Sequence, residues 1–326
     1  MISSARELAD NKTGYGFLDD KVKEFPRMVI AGISFACNAK CVHCVYAKFD
    51  ETKQKTGSGK IFMDEDVFQQ IALECSQYPW ALLRLVGFGE PLLHPKFLSM
   101  VRYAKQVGCN IGVITNGSLL DARMAEDLLE AEIDAIDISV DAFSKEVYEH
   151  IRKGLNFDTL IENVRMLYEL RNKMKKKTFI LCSIVEQREV MPELEQAIEF
   201  WKSFSDKVVS RKFLTFGLLN TDQKREPYYT ERMPCFLLYD RINVDVSGYI
   251  RLCGYDSFGK TNLGLVGETN IHQAWHNTEL NRIRTCHETG RYNQVGICAD
   301  CQDWPFHSWQ KNYMLDALDN RMEDKQ

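Results

Sequence analysis

No stretch of this 326-residue chain comes near the ~20 consecutive apolar residues that span a bilayer, and the longest apolar segments, such as 28–36, fall well short. A membrane span is not expected. An excess of positive charge is missing too: 41 Lys and Arg stand against 46 Asp and Glu, for a net charge of -5. That balance offers no long-range attraction for phosphate backbones or anionic lipid, so nucleic acid and membrane partners are disfavoured. The first 27 residues are studded with Arg6, Glu7, Asp10, Lys12, Asp19, Asp20, Lys21 and Lys23 and lead into no apolar stretch, so no signal peptide is read and a cytoplasmic protein is expected. Repeats and low-complexity tracts are absent as well. With 45% hydrophobic and 27% charged residues, 19 Gly and 8 Pro, collagenous and disordered classes drop out.

What the chain has in quantity is cysteine, eleven in all. In a reducing cytoplasm such thiols are free, catalytic or metal-bound rather than bridged. Seven fall into two groups, Cys37, Cys41 and Cys44 near the start and Cys235, Cys253, Cys298 and Cys301 near the end; Cys75, Cys109, Cys182 and Cys286 stand apart.

Between the two groups the chain alternates short apolar runs with helical patterns. Strands are predicted at 28–35, 81–86, 111–115, 135–140, 178–185 and 208–216, each a compact run with β-branched or aromatic content. Helices are predicted at 64–76, 95–107, 121–131, 157–172 and 192–204, with Asp64, Asp121 and Asp158 near their starts as caps. Strict alternation is the pattern of a parallel α/β fold. The expected division is a lead-in at 1–27, a βα domain at 28–216, a polar linker at 217–232, a cysteine-bearing unit at 233–310 and a tail at 311–326.

Directly after the first predicted strand, Cys37-Asn-Ala-Lys-Cys41-Val-His-Cys44 places three thiols in a loop with C-x3-C-x2-C spacing. A structural zinc site wants four ligands, usually as two separated pairs, and His43 is poorly placed to be the fourth. A 4Fe-4S cluster held by three cysteines instead leaves one iron open to a ligand. The second strand ends in Gly87-Phe-Gly-Glu-Pro91, the third in Thr115-Asn-Gly117 and the fourth in Ser139-Val-Asp141. All these motifs lie at carboxyl ends of predicted strands, the rim where parallel βα folds bind ligands.

In this spacing and order the sequence resembles the radical S-adenosylmethionine (SAM) enzymes, with Phe88 in place of the first glycine of their Gly-Gly-Glu-Pro motif. The resemblance implies a partial (β/α)6 barrel. It further implies that Cys37, Cys41 and Cys44 hold three irons of a 4Fe-4S cluster while the methionine part of SAM chelates the fourth. His43 would lie beside the adenine, and the motif of Gly89, Glu90 and Pro91 would receive the methionine ammonium. Ser139 and Asp141 would meet the ribose and methionine, Asn116 would shape that pocket, and Arg152 would clamp the methionine carboxylate, for which a guanidinium fork is suited.

The later segment, with Cys235, Gly248, Cys253, the string Trp275-His-Asn and Cys298-Ala-Asp-Cys301, resembles the SPASM or shortened twitch extension of the same family. No cysteine follows Cys301, so the resemblance implies one auxiliary 4Fe-4S cluster with four cysteine ligands; four thiols ending in C-x2-C suit structural zinc equally well. Trp275, Trp304 and Trp309 are expected to cover that site from water.

The activity implied is reductive cleavage of SAM to a 5'-deoxyadenosyl radical that abstracts a substrate hydrogen atom, with a one-electron donor such as flavodoxin or ferredoxin as partner. The favoured outcome is oxidation of a polar small molecule, a sugar, cyclitol or amino sugar, with the auxiliary cluster accepting an electron. The C-terminal segment most resembles a dehydrogenase acting on the amino-cyclitol 2-deoxy-scyllo-inosamine. Peptide modification is an alternative, set back because 27 residues before the first strand are too few for a peptide-recognition domain. Epimerisation is another, with Cys286 or Cys182 as hydrogen donor.

Overall fold

The computed structural model describes residues 15–48, 59–216, 232–256, 259–307 and 314–315. The polar linker lies almost entirely outside the described residues, as does Trp309. Six parallel strands alternate with helices: β1 (Met28–Gly32), β2 (Leu82–Val86), β3 (Asn110–Thr115), β4 (Ala135–Ser139), β5 (Phe179–Glu186) and β6 (Lys207–Lys212). A short helix α1 (Asp20–Glu24) precedes β1. Helices α2 (Glu65–Cys75), α3 (Phe97–Gln106), α4 (Ala122–Glu130), α5 (Lys145–Ile151), α6 (Phe157–Lys173) and α7 (Leu194–Lys202) connect the strands. This is the expected partial βα barrel, with α5 added where no helix was predicted.

Helix α5 is short, but its start is capped by the Ser144 hydroxyl, which accepts from Val147 N, and its end delivers Arg152. Longer helices use the same device: Asp121 caps α4 through Met124 N, and Asn156, not Asp158, caps α6 through Thr159 N. The helices cover the outer face of the barrel with a continuous apolar core that includes Phe68, Met100, Leu128, Leu167 and Trp201.

Two predicted strands run shorter than expected, for identifiable reasons. Ile33 N makes the last bond to β2, at Val86 O, after which Phe35 N donates to Ile61 O instead. After Lys212 the chain is captured by the C-terminal segment: Asp303 accepts from Thr215 N at 2.8 Å and from its hydroxyl at 3.1 Å.

The cysteine-bearing unit contributes β7 (Arg241–Val244), β8 (Tyr249–Arg251), β9 (Gly264–Leu265), α8 (Ile271–Trp275) and α9 (Thr278–Glu288). Its strands continue the barrel sheet, in the order β6-β5-β4-β3-β2-β1-β7-β8-β9. β7 pairs with β1 in parallel, Met28 opposite Arg241 and Ala31 opposite Val244, and then turns back antiparallel into β8. That turn needs Gly248, which has φ +90°, while the Asp245 carboxylate accepts from Ser247 N and Tyr249 N.

The lead-in is pinned to this unit by Trp275, whose Nε1 donates to Val22 O and whose ring packs on Phe17 and under Arg284. Trp275 therefore anchors the chain start to this unit. At the amino ends of the strands, Met314 and Leu315 close the barrel floor against Met28, Leu82, Ala135 and Leu181. Among the described residues no helix is long and apolar enough to cross a membrane.

Trp201 links the outer core to the rim, because its fully buried ring donates from Nε1 to Ala142 O at 2.9 Å, next to Asp141. Trp201→Phe should lose about 1 kcal/mol through that orphaned carbonyl. Trp201→Ala should lose roughly 3 to 5 kcal/mol. Urea unfolding midpoints of the two variants check the order.

Candidate active site and auxiliary cluster site

The three-cysteine loop leaves β1 and is stitched to two neighbours by backbone hydrogen bonds. Gly89 N donates to Ser34 O and Glu90 N to Ala36 O, while Lys40 N and Val42 N donate to Lys153 O and Ile151 O at the end of α5. A Cβ on Gly89 would stand 2.1 Å from Ala36 O, so only glycine allows this approach. Phe88, the departure from the family motif, stacks on Phe35 at 4.8 Å and meets Tyr46 edge-on at 4.9 Å. Its ring also lines the cavity described below.

The expected SAM-contacting residues gather beside that loop. Glu90 is buried, and its carboxylate accepts from the Thr115 hydroxyl at 2.7 Å, Asn116 N at 2.8 Å and Leu92 N at 3.2 Å. Burial nevertheless pushes its pKa up against those bonds. Pro91 opens the short turn that follows. Asn116 in turn donates to Asn38 Oδ1 at 2.9 Å, tying the third strand's end to the cysteine loop.

Ser139 lines the cavity described below, and Asp141 is fully buried with φ +52°. Asp141 accepts from Val185 N at 2.8 Å and from Arg152 Nε at 2.7 Å, and Arg152 Nη1 then lies 3.9 Å from Cys41 Sγ. Burial works against the Arg152 charge, but Asp141, Cys41 and Tyr148 together more than offset it and raise its pKa. A permanent cation thus stands beside the cysteine loop. His43 bonds through Nδ1 to Gln187 Nε2 at 3.3 Å, and burial lowers its pKa to about 4, which keeps the ring neutral.

The chemistry of both thiol sets fits a metal group. Burial raises Cys37, and burial with the neighbouring Cys44, Asp141 and Cys37 pushes Cys41 up to about 11 in spite of Arg152. In the second set, burial and then Cys301 push Cys235 up to about 12, and burial and then Cys298 raise Cys253 well above the usual thiol range. Cys298 and Cys301 are raised as well, by burial first. Thiols gathered and desolvated in this way become thiolates only with metal cations among them.

Several residues of the second site carry no functional signal in the sequence, where His287 and His307 read as surface or packing histidines. Arg232 donates to Cys298 O at 2.5 Å and Ala299 O at 3.0 Å and lies over the Tyr292 ring, clamping the C-x2-C turn. His287 Nδ1 accepts from Cys235 N at 3.1 Å. Tyr255 OH meets His307 Nε2 at 2.8 Å. A single charged or aromatic residue carries no spacing signal, so these were legible only once the fold brought them together.

One cavity of about 690 Å³ joins the two sites. At one end it is lined by Cys37, Cys41 and Cys44, and at the other by Cys253, Gly254 and Tyr255. Tyr46 OH bonds to Gly254 O at 3.4 Å across the join. Cys182 and Cys286, the expected hydrogen donors, are not brought here. Alternation along β5 turns Ser183 inward and Cys182 outward into the helix-facing core, and Cys286 is buried on α9 near Gln294.

Residues 33–197, 165 of the 326, match the Radical SAM superfamily. The chain belongs to that superfamily. Residues 235–302 match the SPASM iron-sulfur cluster-binding domain, so this radical SAM protein takes SAM, a SAM-binding 4Fe-4S cluster and an auxiliary cluster. Among curated relatives, a tungsten-containing aldehyde ferredoxin oxidoreductase cofactor-modifying protein of Pyrococcus furiosus is 32% identical over 110 residues, covering 33% of this chain and 29% of that protein. A GTP 3',8-cyclase of Limosilactobacillus fermentum is 27% identical over 204 residues, covering 61% and 57%. The chain thus spans less than two thirds of either relative.

Two solved structures share the fold. BtrN in complex with AdoMet and 2-DOIA has a TM-score of 0.58 at 17% identity, with 84% of this chain and 92% of that one covered. Streptococcus suis SuiB bound to the precursor peptide SuiA has a TM-score of 0.66 at 13% identity, with 91% and 73% covered.

Glu90 accepts from three donors and donates to none, so Glu90→Gln turns an amide N–H₂ toward a donor. The variant should unfold about 1 to 3 kcal/mol sooner in urea. It should also bind SAM at least about tenfold more weakly in equilibrium dialysis.

Proposed function

We propose that this radical SAM enzyme is an oxidoreductase that takes a hydrogen atom from a polar small molecule, a sugar, cyclitol or amino sugar, and that the substrate radical then loses a proton to solvent and passes the second electron to the auxiliary cluster. The reading rests on one observation: a single cavity is lined by the three-cysteine loop at one end and by Cys253 at the other. In this reading Cys37, Cys41 and Cys44 would hold the SAM-binding cluster, and Cys235, Cys253, Cys298 and Cys301 the auxiliary one. When bound, the first cluster and SAM supply a 5'-deoxyadenosyl radical.

The chain's own residues hold the geometry. Arg152, fixed by Asp141, would face the methionine carboxylate; Gly89, Glu90 and Pro91 would set the turn that meets the ammonium; and neutral His43 would pack by the adenine. Asn116 and Ser139 would border the same pocket. Four cysteines leave the auxiliary cluster without an open position, which favours electron transfer over substrate coordination. Cys253, the auxiliary ligand that lines the cavity, would be the point of electron entry, with Tyr255 beside it.

Ser183 and Asn243 on the inner wall suit a hydroxylated substrate, and the shared fold with BtrN, whose complex holds 2-DOIA, agrees with a small molecule. Two buried thiols that stay outside the cavity count against an epimerase with Cys182 or Cys286 as donor. A flavodoxin- or ferredoxin-type protein would supply the priming electron.

The test is anaerobic incubation of the holoenzyme with SAM, a reductant and a panel of amino sugars and cyclitols, following 5'-deoxyadenosine and oxidised product together. Equimolar formation is expected. Cys253→Ala should keep SAM cleavage while its oxidised product falls at least about a hundredfold. Product formation undiminished in that variant contradicts the electron-acceptor role.

A further inference from the structure

Below the rim the cavity is lined by inward-facing side chains of the strands themselves. Arg84 comes from β2, Asp137 from β4, Arg211 from β6, and Arg241 and Asn243 from β7. Arg84 and Asn243 are both paired with Ile30 of β1, so they flank one residue of the central strand at the same depth. Alternation along β2 gives the inward places to Arg84 and Val86, with the rim motif starting at Gly87.

Of the carboxylates nearby, Asp137 is engaged through both oxygens and Asp240 through one. Asp137 accepts from Arg211 Nη2 and from the Ser183 hydroxyl, and Asp240 accepts from Arg241 Nε at 2.6 Å. Arg152 and Arg251 of the same cavity are paired with Asp141 and Asp245. Among the described residues Arg84 makes no ion pair, and its buried Nε has no hydrogen-bond partner. Two more donors of the lining, Arg211 Nε and Asn243 Nδ2, are buried and unpartnered too. The unpartnered acceptor Asp240 Oδ1 belongs to a residue that does not line the cavity.

Around Arg84, then, three guanidinium groups face two carboxylates. Burial, followed by Arg241 and Arg211, pushes the Arg84 pKa down to about 9 against the pull of Asp137 and Asp240. Unmatched buried donors cost stability. Here three of them, Arg84 Nε, Arg211 Nε and Asn243 Nδ2, belong to side chains that line one cavity, the kind of convergence found at functional sites.

We propose that the barrel floor is an anion subsite, in which Arg84 with Arg211 and Asn243 binds a carboxylate or phosphate group of the substrate. The proposal rests on the reading of this cavity as the site of substrate oxidation. The guanidinium fork matches either anion in a bidentate way. Arg84 precedes Gly87 by three strand residues, about 10 Å at the usual rise. The substrate therefore carries its anionic group several bonds from the carbon presented at the rim, as a sugar or cyclitol acid or phosphate does.

The test uses the holoenzyme with both clusters and SAM. Anaerobic thermal unfolding is followed with inorganic phosphate, with acetate and with neutral myo-inositol, on wild type, Arg84→Met and Arg84→Lys. Phosphate or acetate should raise the wild-type midpoint, with the larger shift telling phosphate from carboxylate, and the anion should bind Arg84→Met at least about tenfold more weakly. Arg84→Lys should keep part of the shift. Without anion, Arg84→Met should unfold at or above the wild-type temperature, because it removes an uncompensated buried charge.

Three results overturn the subsite: no shift of the wild type by either anion, equal shifts in wild type and Arg84→Met, or an Arg84→Met midpoint well below wild type without anion, the mark of a structural arginine. None of these readouts involves turnover. Failure here leaves the oxidation reading standing, whereas 5'-deoxyadenosine without oxidised product would overturn that reading and leave the anion subsite standing.

Discussion

Strand β1 is hydrogen-bonded along both edges, to β2 on one side and to β7 on the other, and this double pairing is the constraint on which the rest of the structure depends. The three-cysteine loop leaves the carboxyl end of β1, and Cys253 follows β8, which β7 carries into the same sheet. Because a parallel ladder fixes register residue by residue, the two thiol groups cannot shift independently. Met28 opposite both Leu82 and Arg241 sets one depth for the barrel wall and the cysteine-bearing unit. A shared cavity follows from that shared depth.

On this frame the interior is organised by charge. At the rim, Asp141 gives both oxygens to Val185 N and Arg152, so a buried cation stands by Cys41, where thiolates and the methionine carboxylate of SAM would lie. At the second site the same kind of stabilisation comes from Arg232 on the carbonyls of 298 and 299 and from His287 under Cys235 N. In both places a polar side chain adds to the backbone hydrogen bonds that seat the cysteine loop. The strictness shows in Gly89, where one added carbon would collide with Ala36 O.

Much of this was legible in the sequence, because period and spacing carry it. The six strands lie where β-branched runs predicted them, and the motifs at 87–91, 115–117 and 139–141 fall at strand ends beside Cys37, Cys41 and Cys44. What escaped was the product of long-range contact. β6 stops early because Asp303, some ninety residues on, captures Thr215, and no local pattern announces that. The indole of Trp275 holds a carbonyl in α1 253 residues back, a contact that no local pattern shows. Arg84 reads in sequence as one basic residue within an apolar run; the ladder gives it an inward place, and the prior engagement of both Asp137 oxygens by Arg211 and Ser183 leaves it without an ion pair among the described residues. Cys182 and Cys286 are the converse: thiols with plausible chemistry that strand alternation and helix packing keep from the cavity.

The central claim is that two thiol groups on one sheet hold two clusters around one cavity, and it is tested most directly by iron and acid-labile sulfide per chain. The protein would be purified anaerobically and reconstituted, as wild type and as the Cys37→Ala, Cys41→Ala, Cys44→Ala triple variant. The account predicts about eight irons per chain in the wild type and about four in the variant. About four irons with one zinc in the wild type would contradict it, since the four C-terminal thiols would then hold a structural ion and the cavity would have an electron source at one end and no acceptor at the other.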